Sequence, residues 1–217
     1  EYVFLQETID MMIKNLIFDF GGVIVDINRD NAVKHFESLG LTNAEELLDK
    51  YHQRDIFLEV EDGRIDADEF CIKLGEYCHR EISFKEAKAA WLAFFTGNPD
   101  YRLSYIDQLH KQYNIYILSN TNPFVMSWAR SSEFTPSGKS LDYYVDKVYA
   151  SYQVKIVKPH KEIFEHLIKD ARINPSESVF IDDGTANVEM SKQLGFHVLQ
   201  PANGEDWREK LDRLLQR

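Results

Sequence analysis

A doubly wound α/β fold, with a parallel sheet carrying a small inserted bundle of helices, is predicted by three observations. Short apolar runs alternate with helix-length segments over residues 99–217, the pattern of strand–helix–strand units. One further apolar run near the start, Ile13–Phe20 (IKNLIFDF), has the unbroken hydrophobicity of a strand buried on both faces. Between these two regions, from about Asn28 to Phe95, the pattern is helical throughout.

The elements follow in order. The first strand ends in Gly21-Gly22, a permissive turn. In the inserted region Asp66 with Glu69 makes a capping-box pattern for a helix through Tyr77, and Ser83 with Glu86 does the same for FKEAKAAWLAFF. Leu39, Leu41, Leu47, Leu48 and Phe57 supply apolar stripes, Gly40 and Gly63 punctuate them, and Trp91, Phe94 and Phe95 read as bundle core. After Asn98-Pro99 come a helix over Tyr101–Lys111 and a strand over Ile115–Asn120. A short strand over Lys147–Ser151 follows, then a helix over Lys161–Ala171 with Lys158-Pro159 as its start signal. A strand over Ser178–Asp183 leads to a helix stopped by Gly195, then FHVLQ and a terminal helix. The expected division is a core of residues 12–28 and 97–217, a helical cap over 29–96, and an N-terminal extension over 1–11 that carries no functional pattern.

Composition narrows the function. A chain of 217 residues, 44% hydrophobic and 28% charged, has room for one sizeable core and a smaller lobe. The formal net charge of −11 argues against a nucleic-acid or anionic-membrane partner. Most of that charge lies off the core: residues 1–11 carry −3 and residues 31–98 carry −6. No apolar run has the roughly 20 residues of a membrane span, and no signal sequence opens the chain. Cys71 and Cys78 stand seven apart on a predicted helix, about 10 Å along its axis, too far for a disulfide. They read as apolar fillers in a reducing compartment, and the expected location is cytoplasmic.

In doubly wound sheets the site lies at the carboxyl ends of the strands, and four segments fall there. Asp19, before the glycine turn, could attack an electrophile or ligate a hard cation, or be a solvated carboxylate. Ser119 and Asn120 end the next core strand, suited to anionic oxygens or to capping a helix. Lys158 could pair with a carboxylate and a phosphate, or lie on the surface. Asp182 and Asp183 follow three apolar residues, where two adjacent carboxylates are costly unless paired, capping or metal-bound. Oxygen-only donors suggest Mg²⁺ rather than zinc.

Together, FDFGGV around Asp19, LSNTN around Ser119, VKP around Lys158 and FIDDGTANVEMSKQLG around Asp182-Asp183 resemble the haloacid dehalogenase-like hydrolase superfamily. The helical cap after the first strand and the D-F-G-G-V motif resemble its sugar-phosphate phosphatases. The resemblance implies a Rossmann-like core and a Mg²⁺-dependent phosphatase acting on a small phosphorylated metabolite, with a sugar phosphate as candidate substrate. It implies Asp19 as nucleophile, forming an aspartyl-phosphate, and Mg²⁺ held by Asp19, the main-chain carbonyl of Gly21 and Asp183, with Asp182 as ligand or behind the ligands. Ser119, Asn120, Gly22 and Lys158 would hold the phosphoryl group, Lys158 offsetting its charge.

One position departs from the family pattern. Most phosphatases of the superfamily carry a second Asp two residues after the nucleophile, as acid and then base; here that residue is Gly21. Asp26 is the expected replacement, its bland alternative being a helix cap. Arg54 and Arg64 are candidate specificity residues in the cap, or solvated helix-end arginines. Competing functions are a metal-independent 2-haloacid dehalogenase and a non-catalytic phosphate-binding module. Oligomeric state is not legible.

Overall fold

The structure, a computed structural model, describes residues 12–48, 53–97 and 100–216. Five parallel strands form its centre: β1 (Asn15–Phe18), β4 (Asn114–Ser119), β5 (Lys147–Ala150), β6 (Ser178–Ile181) and β7 (His197–Leu199), in the spatial order β5-β4-β1-β6-β7. β2 (Asp26–Ile27) and β3 (Phe95–Gly97) form a separate antiparallel ribbon. Because side chains alternate along a strand, the sheet feeds two apolar layers. Leu16 and Phe18 of β1 join one, while Ile17 joins the other with Leu118, Phe180 and Phe164.

The helices are α1 (Arg29–Ser38), α2 (Ala44–Leu47), α3 (Asp55–Glu61), α4 (Ala67–Cys78), α5 (Phe84–Leu92), α6 (Asp100–Leu109), α7 (Pro123–Ala129), α8 (Ser151–Val154), α9 (Lys161–Ala171), α10 (Thr185–Gln193) and α11 (Arg208–Leu215). Both expected capping boxes form, at Asp66/Glu69 and Ser83/Glu86. Phe57 is the hub of the helical bundle, its ring 4.9 Å from Phe36 and 5.4 Å from each of Phe70 and Trp91. Such edge-to-face and tilted aromatic contacts suit a small bundle that must fill its centre with few residues. Trp207, fully buried ahead of α11, packs 5.2 Å from Phe18 and donates its indole N–H to Val23 O at 2.9 Å. Cys71 and Cys78 are both free thiols on α4. No helix among the described residues is long and apolar enough to cross a membrane.

Three expectations change. The helix expected to run through Phe95 stops at Leu92, because the chain turns into β3. The Phe95 ring then leaves the bundle and packs on Trp128 of α7 and on Phe20, at 5.3 and 5.7 Å. α9 spans Lys161–Ala171 as expected, but Pro159 stands two residues before its first residue rather than in its first turn. The helix α7 was not among the expected elements, although Asn122 caps it by accepting from the amides of Phe124 and Val125.

Two junctions place the bundle against the sheet. At the first, Asp26 pairs with fully buried Arg102 of α6 at 2.6 Å, and Asn203 brackets Ile27, accepting from its amide and donating to its carbonyl. At the second, α3 packs on α8, and Gly63 beyond α3 lies so close that a Cβ there would sit 2.2 Å from Tyr152 O. With φ at +71°, position 63 is closed to a side chain on both counts.

Candidate active site

β1 is the central strand, with β4 on one side and β6 on the other, so the strand order reverses there. The crevice above such a switch point is where α/β sheets bind ligands. Asp19 follows β1, Ser119 ends β4, and Asp182-Asp183 follow β6. Lys158, from the connection between α8 and α9, completes the group.

Lys158 is the electrostatic centre. Its ammonium is buried, 3.0 Å from Asp19 Oδ1 and 2.6 Å from Asp182 Oδ2. Burial opposes its charge, but the two carboxylates outweigh that and hold its pKa above the ordinary lysine value. Asn120 holds the backbone at this point: its side chain accepts from the Lys158 amide at 2.7 Å and donates to the Lys158 carbonyl at 2.9 Å. Asp182, fully buried, also accepts from the Gly184 amide at 2.7 Å and from Asn187.

Asp19 Oδ1 accepts from both Lys158 and the Phe20 amide, the latter at 2.6 Å, leaving Oδ2 without a partner among the described residues. Burial, partly countered by Lys158, raises the Asp19 carboxyl well above the carboxylate range. Asp183 is raised too, by burial and then by Asp182. Carboxylate oxygens of Asp19, Asp182 and Asp183 lie within 4.8 Å of one another. Three crowded carboxyl groups offering only oxygen, with Asp19 and Asp183 raised by burial, fit a hard divalent cation, which removes the cost of their charge. Because Asp182 is already engaged on both oxygens, Asp19 and Asp183 are the carboxylates open to it.

A family model described as haloacid dehalogenase-like hydrolase matches residues 13–195. The chain belongs to the haloacid dehalogenase-like hydrolases. Among its relatives in that family is a D-ribitol-5-phosphate phosphatase of Bacteroides thetaiotaomicron, 54% identical over 94% of this chain and 99% of the relative. A solved HAD-like family hydrolase from Porphyromonas gingivalis superposes with a TM-score of 0.91 at 41% identity, covering 95% of this chain and 99% of that one. A HAD family enzyme from Bacteroides thetaiotaomicron, solved with magnesium and inorganic phosphate, gives a TM-score of 0.83 at 36% identity over 91% of this chain and 98% of that one.

Within this hydrolase fold Asp19, Ser119, Lys158, Asp182 and Asp183 stand at one edge of the sheet, as expected. Other expectations are corrected. Asp26 is bound to Arg102, whose buried guanidinium needs that carboxylate, so it is not placed as a proton donor. The Gly22 amide donates to Val25 O at 2.7 Å and is not open to a phosphate. Arg64 is exposed and pairs with Asp62 at 2.7 Å; Arg54 is exposed at the start of α3. Neither arginine is bonded to the strand-end cluster among the described residues, so the geometry gives no support to a specificity role.

Gly22 serves instead by lacking a side chain. Its φ is +81°, and a Cβ would lie 2.6 Å from Asp183 Oδ2. Gly22→Ala is expected to cost about 1–2 kcal/mol in backbone strain and to displace Asp183. Mg²⁺ affinity, followed by calorimetric titration, should fall roughly ten- to a hundredfold. Unchanged affinity would show that Asp183 does not depend on this gap.

Sequence reasoning passed over two groups. Asn187 of α10, which anchors Asp182, follows it by five residues within FIDDGTANVEMSKQLG, where the two acids alone were singled out. Glu61, at the end of α3, is 8% exposed and close enough to Asp19 for their charges to repel. Nothing in its local sequence sets it apart from Glu59 or Asp62.

Proposed function

We propose that this hydrolase is a Mg²⁺-dependent phosphatase of sugar or polyol phosphates, with D-ribitol 5-phosphate the first substrate to test. The observation that carries the reading is the buried Lys158 ammonium held across Asp19 and Asp182, with Asp19 Oδ2 unpartnered beside it. A nucleophilic carboxylate with a fixed cation at its flank suits phosphoryl transfer, where catalysis is positioning plus charge neutralisation.

In this reading Asp19 attacks phosphorus through its unpartnered oxygen and carries the phosphoryl group as a mixed anhydride, which water then hydrolyses. Lys158 holds the attacking carboxylate in place and offsets charge on the phosphoryl oxygens. Ser119, buried at the end of β4, would turn its hydroxyl from the Asn120 carbonyl, its present acceptor at 3.3 Å, to one of those oxygens. Asp19, Asp183 and the Gly21 carbonyl would hold Mg²⁺, which when bound supplies positive charge to the nucleophile and the phosphoryl group. Substrate choice falls to the helical bundle over residues 29–96, and the substrate named for the 54% identical relative supports a linear five-carbon phosphate.

The test is phosphate release from a panel of pentitol, pentose and hexose phosphates, with Mg²⁺ and with EDTA. Mg²⁺-dependent release, greatest for five-carbon phosphates, is the expected result. Release no greater than from Asp19→Asn protein across the panel would make the chain a phosphate-binding module instead. Halide release from 2-haloacids without metal would restore the dehalogenase reading.

A further inference from the structure

Gly21 leaves the proposed reaction without an acid. Departure of an alkoxide from phosphorus needs a proton, and the position that supplies it in most related phosphatases has no side chain here. Asp26, the next acid in sequence after Asp19, is committed to Arg102.

Four acidic or basic side chains of the Asp, Glu, Lys and Arg types are buried among the described residues: Glu61, Arg102, Lys158 and Asp182. Three have charged partners, Arg102 with Asp26 and Lys158 with Asp182. Glu61 alone has no hydrogen bond or ion pair among the described residues. An unpaired buried carboxylate is costly, and a fold retains one where it has a use or where it stays protonated. Its oxygens are nevertheless not sealed in, as Trp91 Nε1, Arg102 Nε and Thr121 Oγ1 are. They open onto space that water can reach.

The placement of Glu61 is fixed from both ends. It closes α3, which packs on α8 just past the carboxyl end of β5. Two residues on, the Gly63 backbone rests against Tyr152. The bundle is thus pinned to the active-site edge of the sheet next to Glu61, within electrostatic reach of Asp19.

We propose that Glu61 is the proton donor that replaces the missing acid, a role that rests on the phosphatase reading. As the Asp19 carboxylate forms its bond to phosphorus, the P–O bond of the ester breaks. Its electron pair stays on the ester oxygen, which takes the Glu61 proton and leaves as the alcohol. In the second step the Glu61 carboxylate takes a proton from water while the water oxygen bonds to phosphorus. The Asp19–phosphorus bond then breaks, returning Asp19 as carboxylate and Glu61 as acid.

Protonation of the resting protein agrees with this. Burial first, then the charges of Asp19 and Asp62, push the Glu61 carboxyl up to about 8, so the acid form predominates at neutral pH. The leading cause is burial, which does not depend on the charge state of Asp19.

The test compares wild-type protein and Glu61→Gln, both with Mg²⁺, on an alkyl phosphate and on 4-nitrophenyl phosphate, whose leaving group departs without a proton. Glutamine keeps the shape and removes the proton, and an unchanged thermal midpoint checks folding. The expected result is a roughly hundred- to ten-thousandfold fall in kcat on the alkyl ester. Single-turnover release of nitrophenolate should stay within several-fold of wild type. Phosphorylated protein should accumulate in intact-mass spectra of the variant, because its second step lacks a base. Equal losses on both esters, or a rise in KM alone, would overturn the role of Glu61 and leave the phosphatase reading standing. A wild-type protein inactive on both esters would overturn both.

Discussion

Asp19→Asn protein is expected to lose roughly ten-thousandfold or more in phosphate release, the scale seen when a covalent nucleophile is removed. A carboxamide is a poor nucleophile and cannot form the mixed anhydride, while its oxygen can still accept from the Phe20 amide and from Lys158 as Asp19 Oδ1 does. Folding should therefore be kept, with a thermal midpoint near that of wild type. Intact-mass spectra during turnover should show the phosphorylated form only in proteins that retain Asp19. Turnover surviving in the asparagine variant would mean that water attacks phosphorus directly.

Lys158→Met is expected to damage stability and activity together. Asp182 is fully buried and Asp19 largely so, and both depend on one ammonium. Removing one member of a buried ion pair costs roughly 3–5 kcal/mol, because the remaining charge has no water to return to. Asp182 would keep the Gly184 amide and Asn187, which softens the loss without neutralising the carboxylate. Denaturant unfolding of the metal-free protein measures the effect, and added Mg²⁺ should recover part of it by binding only the folded state. An unchanged midpoint would mean that the Gly184 amide and Asn187 suffice to hold the Asp182 carboxylate. Lys158→Arg is not a conservative alternative, since a planar guanidinium does not fit a site shaped around a point charge.

Much of the site was legible because its residues sit where apolar runs stop. Asp19, Ser119 and Asp182 each follow buried strand residues, and the strand-end rule gathers them without further knowledge. Glu61 was not legible, since it lies in an acidic stretch, EVEDGRID, where only the docking of α3 on α8 decides which acid is buried. Asp26 misled for the opposite reason. It stands near the nucleophile in sequence, but its partner Arg102 is far along the chain and fully buried, which no local pattern reveals. Gly22 was expected to hold the phosphoryl group; what the fold asks of it is room for Asp183, distant in sequence and 2.6 Å from where a Cβ would lie. In the fold, Phe95 was placed in a helix because FKEAKAAWLAFF is periodic to its end. Strand pairing with Asp26-Ile27, a tertiary contact, overrode that local preference.

The Arg102–Asp26 pair and the Asn203 bracket also bear on the mechanics of the molecule. They fasten the chain to the sheet domain up to Ile27, and the Asn28 amide then donates to Phe94 O across the paired strands at 2.6 Å. Any swing of the bundle about that rivet would have to part Gly63 from Tyr152 and would carry Glu61, two residues away, along with it.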